Sequence, residues 1–239
     1  MNHFLFAKEN RYRTVVLVII VLLVVSIIFL DSIQTLVLFP LYVFSLFFYY
    51  YRKTGEFNTL FLVYLVFSML GEIGFVLDFS QYMNYVFFST MIAQMSIIIM
   101  LKPMFKKIRT KDFSKHNLAE FVIGFIGINY IIGYVFYSIF PLIPDLTLFV
   151  PAIFSFIVLA GICIAIPFFN KHPKSILLWG VGGGLIAEVC SAFIYEYLSG
   201  AHIFLVMAYI FGLFLKFTLA LFLMKLDGIV NSDADGDYL

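Results

Sequence analysis

Long apolar runs are the feature that most limits how this chain folds. Stretches of about 20 mostly apolar residues recur through its 239 residues, separated by short turns. A membrane-spanning helix needs a run of that length, whereas a strand of a membrane barrel is shorter and alternates in polarity. Charged residues make up 12% of the chain, about half the fraction typical of soluble domains. The sequence therefore predicts an all-α, polytopic membrane helical bundle, because helices satisfy their own backbone hydrogen bonds in hydrocarbon.

The apolar runs predict about eight transmembrane helices with short connections. They lie near residues 14–31, 33–51, 58–78, 82–101, 118–140, 146–169, 175–197 and 201–225. Little more than Asp31 separates the first two, so seven spans with a re-entrant first hairpin are an alternative. We expect one transmembrane domain over 14–226, preceded by a cytoplasmic N-terminus at 1–13. An acidic cytoplasmic tail at 227–239 is expected to follow it.

The charges predict an orientation in the membrane. Lysine and arginine collect at alternate ends of successive spans, namely at the N-terminus, Arg52–Lys53, 102–115, Lys171, Lys174 and Lys225. The opposite ends carry Asp31, Asp78, Asp145 and Glu196 without basic residues. The positive-inside rule then places both termini in the cytoplasm. We expect a bacterial inner (plasma) membrane as the location.

Charge and composition also limit the ligands. A net charge of +1 gives no indication of nucleic acid binding. The basic segment 102–115 is interpreted as an orientation signal, or alternatively as a contact to anionic lipid. The tail from Asn231 to Asp237 follows the start of a calcium loop but ends before its bidentate position, so a solvated acidic tail is the preferred interpretation. The four histidines lie at the ends of spans, so no metal and no cofactor is expected.

Three ionisable residues lie deep within predicted spans, where a charge costs several kcal/mol unless it is paired or hydrated. They are Glu72 in the span at 58–78, Glu188 in the span at 175–197 and Lys216 in the last span. Glu188 and Lys216 differ in depth by about one helical turn, which long side chains bridge. We expect all three to converge on one pocket within the bundle.

Polar residues accompany these charges at helical spacing, so each helix carries one polar stripe. Ser68 precedes Glu72 by four residues, Ser191 and Tyr195 follow Glu188, and Tyr209 precedes Lys216. Gln94 lies in the span at 82–101. One interpretation is a structural Glu188–Lys216 ion pair that fixes helix register. The other is a polar cavity that holds acid/base groups or a ligand.

The two acidic spans also suggest internal symmetry. The spans that carry Glu72 and Glu188 are the third of each set of four, and both are predicted to run outward. This indicates a 4+4 parallel repeat, of the kind found in some transporters.

Four short segments resemble the YhhN-like lysoplasmalogenase family over roughly residues 35–225. They are Ser68-Met-Leu-Gly-Glu72, Gly184-Leu-Ile-Ala-Glu188, Leu205-Val-Met-Ala-Tyr209 and the cytoplasmic Tyr51-Arg-Lys-Thr-Gly-Glu56. The resemblance implies eight helices and hydrolysis of the vinyl-ether bond of lysoplasmalogens, with a lysolipid as substrate. Glu72 and Glu188 stand where the family has aspartates. Gln94, Ala187 and Leu213 replace an expected histidine, serine and glutamine.

The implied chemistry needs two carboxyl groups in different protonation states. One protonates the alkene carbon to give an oxocarbenium ion, and burial in an apolar surrounding favours the protonated form it needs. The other stabilises the cation or orients the attacking water, and the hemiacetal that forms collapses to aldehyde and alcohol. Glu72 and Glu188 are the expected catalytic pair, and Lys216 would keep one of them ionised. Ser68, Gln94, Ser191, Tyr195, Tyr209 and Lys216 are the expected binding residues.

Two other functions are consistent with the same residues. The departures from the family pattern favour a non-enzymatic membrane protein, such as a lipid binder, a small transporter or an assembly subunit. A lone lysine in the last span with a carboxylate partner also matches a retinal Schiff base. Eight spans and a single tryptophan, Trp179, count against retinal.

Overall fold

The computed structural model describes residues 2–29, 36–105, 115–169 and 173–231, and this part of the chain is helical without strands. Its helices are α1 (Asn2–Phe29), α2 (Leu38–Thr54), α3 (Thr59–Phe105), α4 (Lys115–Ile139), α5 (Phe149–Phe169), α6 (Leu177–Phe193), α7 (His202–Leu223) and α8 (Leu226–Asn231). Short 3-10 segments lie at Phe140–Leu142 and Pro173–Ile176. A π-helix at Ile194–Ser199 continues α6.

Six helices within the described residues are long and apolar enough to cross a membrane. They are the apolar part of α1, α3, α4 with its 3-10 extension, α5, α6 with its π-helix, and α7. This agrees with the predicted all-α membrane bundle. At 17 residues, α2 is not among the six, although about 17 residues is the lower limit for a span.

The 47-residue helix α3 folds back on itself at Asp78, whose backbone is extended (φ −172°, ψ 102°). A Cβ on Gly71 would lie 3.3 Å from Thr90 Oγ1, and one on Gly74 would lie 3.0 Å from Tyr85 Cδ1. A straight helix would hold residues 71 and 90 almost 30 Å apart at 1.5 Å per residue. The two arms, 59–77 and 79–105, therefore form a hairpin.

Asp78 supplies the reason for the turn. Its Oδ1 accepts hydrogen bonds from the backbone N–H of Gln81 (3.1 Å) and the hydroxyl of Ser80 (2.9 Å), as an N-cap does. We predicted a loop at residues 79–81, but those residues already belong to the second arm. The connection is shorter than predicted because the cap lets the helix restart at the next residue.

The described chain divides into two compact units, unit 1 (Met1–Ile97) and unit 2 (Ile98–Leu239). Unit 1 contains α1, α2 and most of α3, and unit 2 contains α4 to α8. The boundary lies within the fourth predicted span, a few residues before its end, and the division into four and four spans stays a prediction. The parallel repeat itself stays a prediction.

Within unit 1, α1 packs against α2 so that Tyr12, within α1, meets the basic end of α2. The ring of Tyr12 lies 5.4 Å from that of Phe48, edge to face, and the Arg52 guanidinium lies over both rings. Gly55 then ends α2 in the left-handed conformation (φ 74°), which glycine adopts without steric cost. Lys53 and the turn before α3 follow at the same end.

Within unit 2, an aromatic cluster joins the ends that carry the acidic residues. Phe136 of α4 contacts Phe149 and Phe156 of α5 and Phe193 of α6, with ring centroids 5.5–6.1 Å apart. Asp145 lies just before α5, and Glu196 lies just after Phe193. Arg52 and Lys53 likewise lie in the last turn of α2. Arg11 and Arg13, by contrast, lie within α1 rather than at its end. Which end faces the cytoplasm stays a prediction.

Some predicted boundaries change, and others lie outside the described residues. Helix α1 already begins at Asn2, so residues 2–13, predicted as a terminus before the first span, continue its helix. The described part of α2 begins at Leu38 rather than at residue 33. The predicted tail begins within α8. Asp31, Lys171, most of the basic segment 102–115 and residues 232–239 of the calcium-like tail lie outside the described residues.

Candidate functional site

Small residues bring α6 and α7 into close contact. A Cβ on Gly184 would lie 3.1 Å from Leu215 Cβ and 3.4 Å from the Phe211 carbonyl oxygen, while one on Gly180 would lie 3.0 Å from Thr218 Cγ2. These glycines are four residues apart and so share one helix face. Small residues on one helix face allow a neighbouring backbone to approach in this way.

Glu188 continues the same face one turn further along α6, and there the small residue is on α7. A Cβ on Gly212 would lie 2.7 Å from Glu188 Oε1 and 3.0 Å from its Cδ. The half-buried carboxylate therefore rests directly on Gly212, in the space that any other residue would fill. The predicted polar stripes of these two helices do face one another.

Lys216 reaches the same residue from one turn further along α7. Its Nζ donates to the Gly212 carbonyl oxygen at 3.4 Å, and the side chain is 1% exposed. It is the one fully buried basic side chain within the described residues. The carboxylate and the ammonium thus border one glycine, in agreement with the predicted difference in depth of one turn.

Three further predicted residues lie along these helices. Ser191 and Tyr209 are buried, and Tyr195 is half-buried. Tyr195 is the second residue of the π-helix, a rare element that occurs often at functional sites. Ser191 and Tyr195 come three and seven residues after Glu188, and Tyr209 comes seven residues before Lys216, which are spacings of residues on one helix face.

Glu72 lies in unit 1, in the first arm of α3, and is half-buried. It is near enough to the Tyr42 hydroxyl of α2 to act on it electrostatically, and Tyr42 is fully buried. Ser68 is half-buried one turn away, and Gln94 is buried in the second arm. The predicted convergence of Glu72 with Glu188 and Lys216 joins residues of different units and stays a prediction.

Unit 1 also contains a buried hydroxyl without a hydrogen bond to the described residues. Ser89 Oγ is fully enclosed, and its Cβ lies 3.7 Å from the position a Cβ would take on Gly71. Thr90 Oγ1 lies at 3.3 Å from the same position. In unit 1, Ser89 and Thr90 of the second arm of α3 thus lie against Gly71, the residue next to Glu72. In unit 2, Glu188 of α6 lies against α7, the helix that carries Lys216.

Sequence reasoning missed the roles of Gly212 and Tyr42. The sequence analysis gave Gly212 no role, and the signal that would have identified it is a small residue opposite a buried acid. Tyr42 was hidden among the many aromatic residues of its span. Within the described residues no three or more His, Cys, Asp or Glu side chains lie together as a metal site would need.

No protein-family model, curated protein or solved structure matches this chain. The resemblance to lysoplasmalogenases therefore depends on its short motifs, and the function must be argued from the geometry around Gly212.

Proposed function

We propose that this chain is an eight-span integral membrane protein with a lipid-directed site at Glu188 and Lys216. The count adds α2 and the second arm of α3 to the six helices that are long and apolar enough by themselves. Both termini lie in the cytoplasm in this proposal, because the basic residues collect at alternate helix ends. The predicted location remains the bacterial inner membrane.

The proposed activity is hydrolysis of the vinyl-ether bond of a lysolipid, as in lysoplasmalogenases. One observation carries it: a carboxylate and a buried ammonium border the same glycine, Gly212, inside an apolar helix pair. An ammonium close to a carboxylate favours the ionised form of the carboxylate. An ionised carboxylate in a low dielectric stabilises an oxocarbenium ion. Glu188 takes this role, and Lys216 holds its charge.

Glu72 is the proposed proton donor. It lies in an apolar span near the buried phenol of Tyr42, and the proposed chemistry needs a carboxylic acid that protonates the alkene carbon. Protonation of the alkene carbon, attack by water and collapse of the hemiacetal then release an aldehyde and a glycerophospho-alcohol. Electrons and atoms balance without a cofactor.

Aldehyde release from a lysoplasmalogen by the purified full-length protein tests this proposal. We expect turnover by the wild type and a loss of about 10²-fold or more for Glu188→Gln and Glu72→Gln. Glu196→Gln, a change of the same kind in the π-helix that follows Glu188, serves as the control and should leave the rate unchanged. A folded wild-type protein that releases no aldehyde from any lysoplasmalogen would contradict the activity.

A non-enzymatic lipid binder is the second candidate. It is favoured by Gln94, Ala187 and Leu213, which replace polar or basic residues that the resemblance leads one to expect. In that case Glu188→Gln changes the amount of lipid that the purified protein retains, and neither the wild type nor the variant releases aldehyde. A retinal protein is the third, since Lys216 is buried beside a carboxylate, and an absorption band in the visible range after addition of retinal would identify it.

A further inference from the structure

Arg52 in unit 1 is held in a fixed position by aromatic rings. Its guanidinium carbon lies 5.0 Å from the centre of the Phe48 ring on α2 and 5.9 Å from that of Tyr12 on α1. The two rings contact each other edge to face. Stacking on rings restricts a side chain that would otherwise lose considerable rotamer entropy on binding a ligand.

A second arginine lies at the same junction. Arg13 of α1 acts electrostatically on the hydroxyl of Tyr49, which precedes Arg52 by one turn on α2. Arg13, Arg52 and Lys53 are all exposed. We call the group formed by Arg13, Arg52 and Lys53, with the rings of Tyr12 and Phe48, the basic junction.

Helix α2 contains no aspartate or glutamate, and Glu56 is the first acid after it. Within the described residues, no hydrogen bond or ion pair engages the Arg52 guanidinium beyond its two ring contacts. A ring-stacked guanidinium keeps its N–H edge available for an oxyanion.

We propose that the basic junction binds the phosphate of an anionic phospholipid. The junction lies where the apolar part of α1 begins and where α2 ends, which in the proposed eight-span arrangement is the depth of the lipid headgroups. A planar guanidinium matches two phosphate oxygens, and the neighbouring Arg13 and Lys53 add long-range attraction. The rings and the apolar helix surface below them accommodate the glycerol and the upper acyl chains.

Lipid binding to the purified full-length protein tests this site. The probe is phosphatidylglycerol, with phosphatidylcholine as the zwitterionic comparison, and binding is followed by native mass spectrometry in detergent. We expect Arg52→Gln to weaken phosphatidylglycerol binding about fivefold and Arg52→Lys to weaken it less, because the charge remains and the planar fork does not. Lys225→Gln, which removes one exposed charge after α7, is the matched control and should have no effect.

Other outcomes distinguish the source of the phosphate and the role of the rings. Phe48→Leu retains every charge but removes one ring, so a smaller loss of binding is expected if stacking orders Arg52. It also serves where Arg52→Gln fails to fold. Equal binding of phosphatidylcholine, full competition by free glycerol phosphate, or wild-type affinity in folded Arg52→Gln and Phe48→Leu would each overturn the proposal.

Discussion

Glu72 in unit 1 and Glu188 in unit 2 are both acids within long apolar helices, yet their described surroundings differ. Glycines bring a neighbouring helix close in each case. In unit 1 the facing groups are the hydroxyls of Ser89 and Thr90, and the phenol of Tyr42 lies near Glu72. In unit 2 Glu188 rests on Gly212 with the buried Lys216 at the same residue.

This difference teaches that close helix packing alone does not determine the chemistry of a buried acid. A buried ammonium beside an acid favours the ionised carboxylate, whereas a neutral phenol brings no charge of its own. Two acids that looked equivalent in the sequence therefore have different local partners. The substitutions below test whether that difference is real.

The largest effect is expected from Lys216→Met. If Lys216 balances Glu188, removing it leaves a carboxylate without compensation in a low dielectric, and the free energy of unfolding should fall by about 3–5 kcal/mol. Measurement by denaturant titration in mixed micelles checks this. The double variant Lys216→Met/Glu188→Gln should recover most of the loss.

Glu72→Gln is the matching change in unit 1 and should cost less than about 1 kcal/mol, because the amide keeps the size and hydrogen-bonding capacity of the side chain. Equal losses in the free energy of unfolding for Glu72→Gln and Lys216→Met would contradict the proposed difference between the surroundings of Glu72 and Glu188.

A medium effect is expected from Gly184→Ala. The added methyl group would press on Leu215 and on the Phe211 carbonyl, which are too rigidly placed to move aside, so a loss of about 1–3 kcal/mol should result. Gly183→Ala is the control, since its Cβ meets nothing within 4 Å and alanine favours the helix. Thermal unfolding of both variants provides the measurement.

Gly74→Ala extends this test to unit 1. Its Cβ would meet only the side chains of Tyr85 and Val86, which can shift, so a smaller loss than for Gly184→Ala is expected. The reverse order would show that the hairpin of α3 is the more tightly packed region.

A local effect on the turn is expected from Asp78→Ala. Losing the cap on the Gln81 N–H should cost about 1 kcal/mol, and Asp78→Asn should retain most of the stability because an amide oxygen also caps. Protease cleavage at the turn, followed by mass spectrometry, measures its opening. Unchanged protection in Asp78→Ala would mean that glycine packing alone holds the hairpin.

Much of the fold could be predicted because the chain contains apolar runs long enough to span a membrane. Apolar length and the alternation of Arg52 with Asp78 and Asp145 determine where helices begin and end, and these signals are local in the sequence. The turn at Asp78 was predicted at the right position but with too many residues. The hydrogen bonds of the cap shorten it, and a hydropathy pattern contains no information about them. The position of Tyr42 beside Glu72 depends on how helices pack, which no local pattern encodes.

The site was predicted in part for the same reason. Glu188 and Lys216 stood out because charges are rare in apolar spans, and their separation of one turn follows from helix geometry. Gly212 did not stand out, because a glycine in a membrane helix is common and its importance arises only from the residue opposite.

The hairpin of α3 has a consequence for biosynthesis. Its arms are joined by a single extended residue, Asp78, and contact each other through Gly71 and Gly74. Because the link is so short, there is no separate loop that the translocon could transfer across the membrane before the second arm emerges from the ribosome. If both arms span the bilayer, as proposed, we therefore expect them to enter it together as one insertion unit.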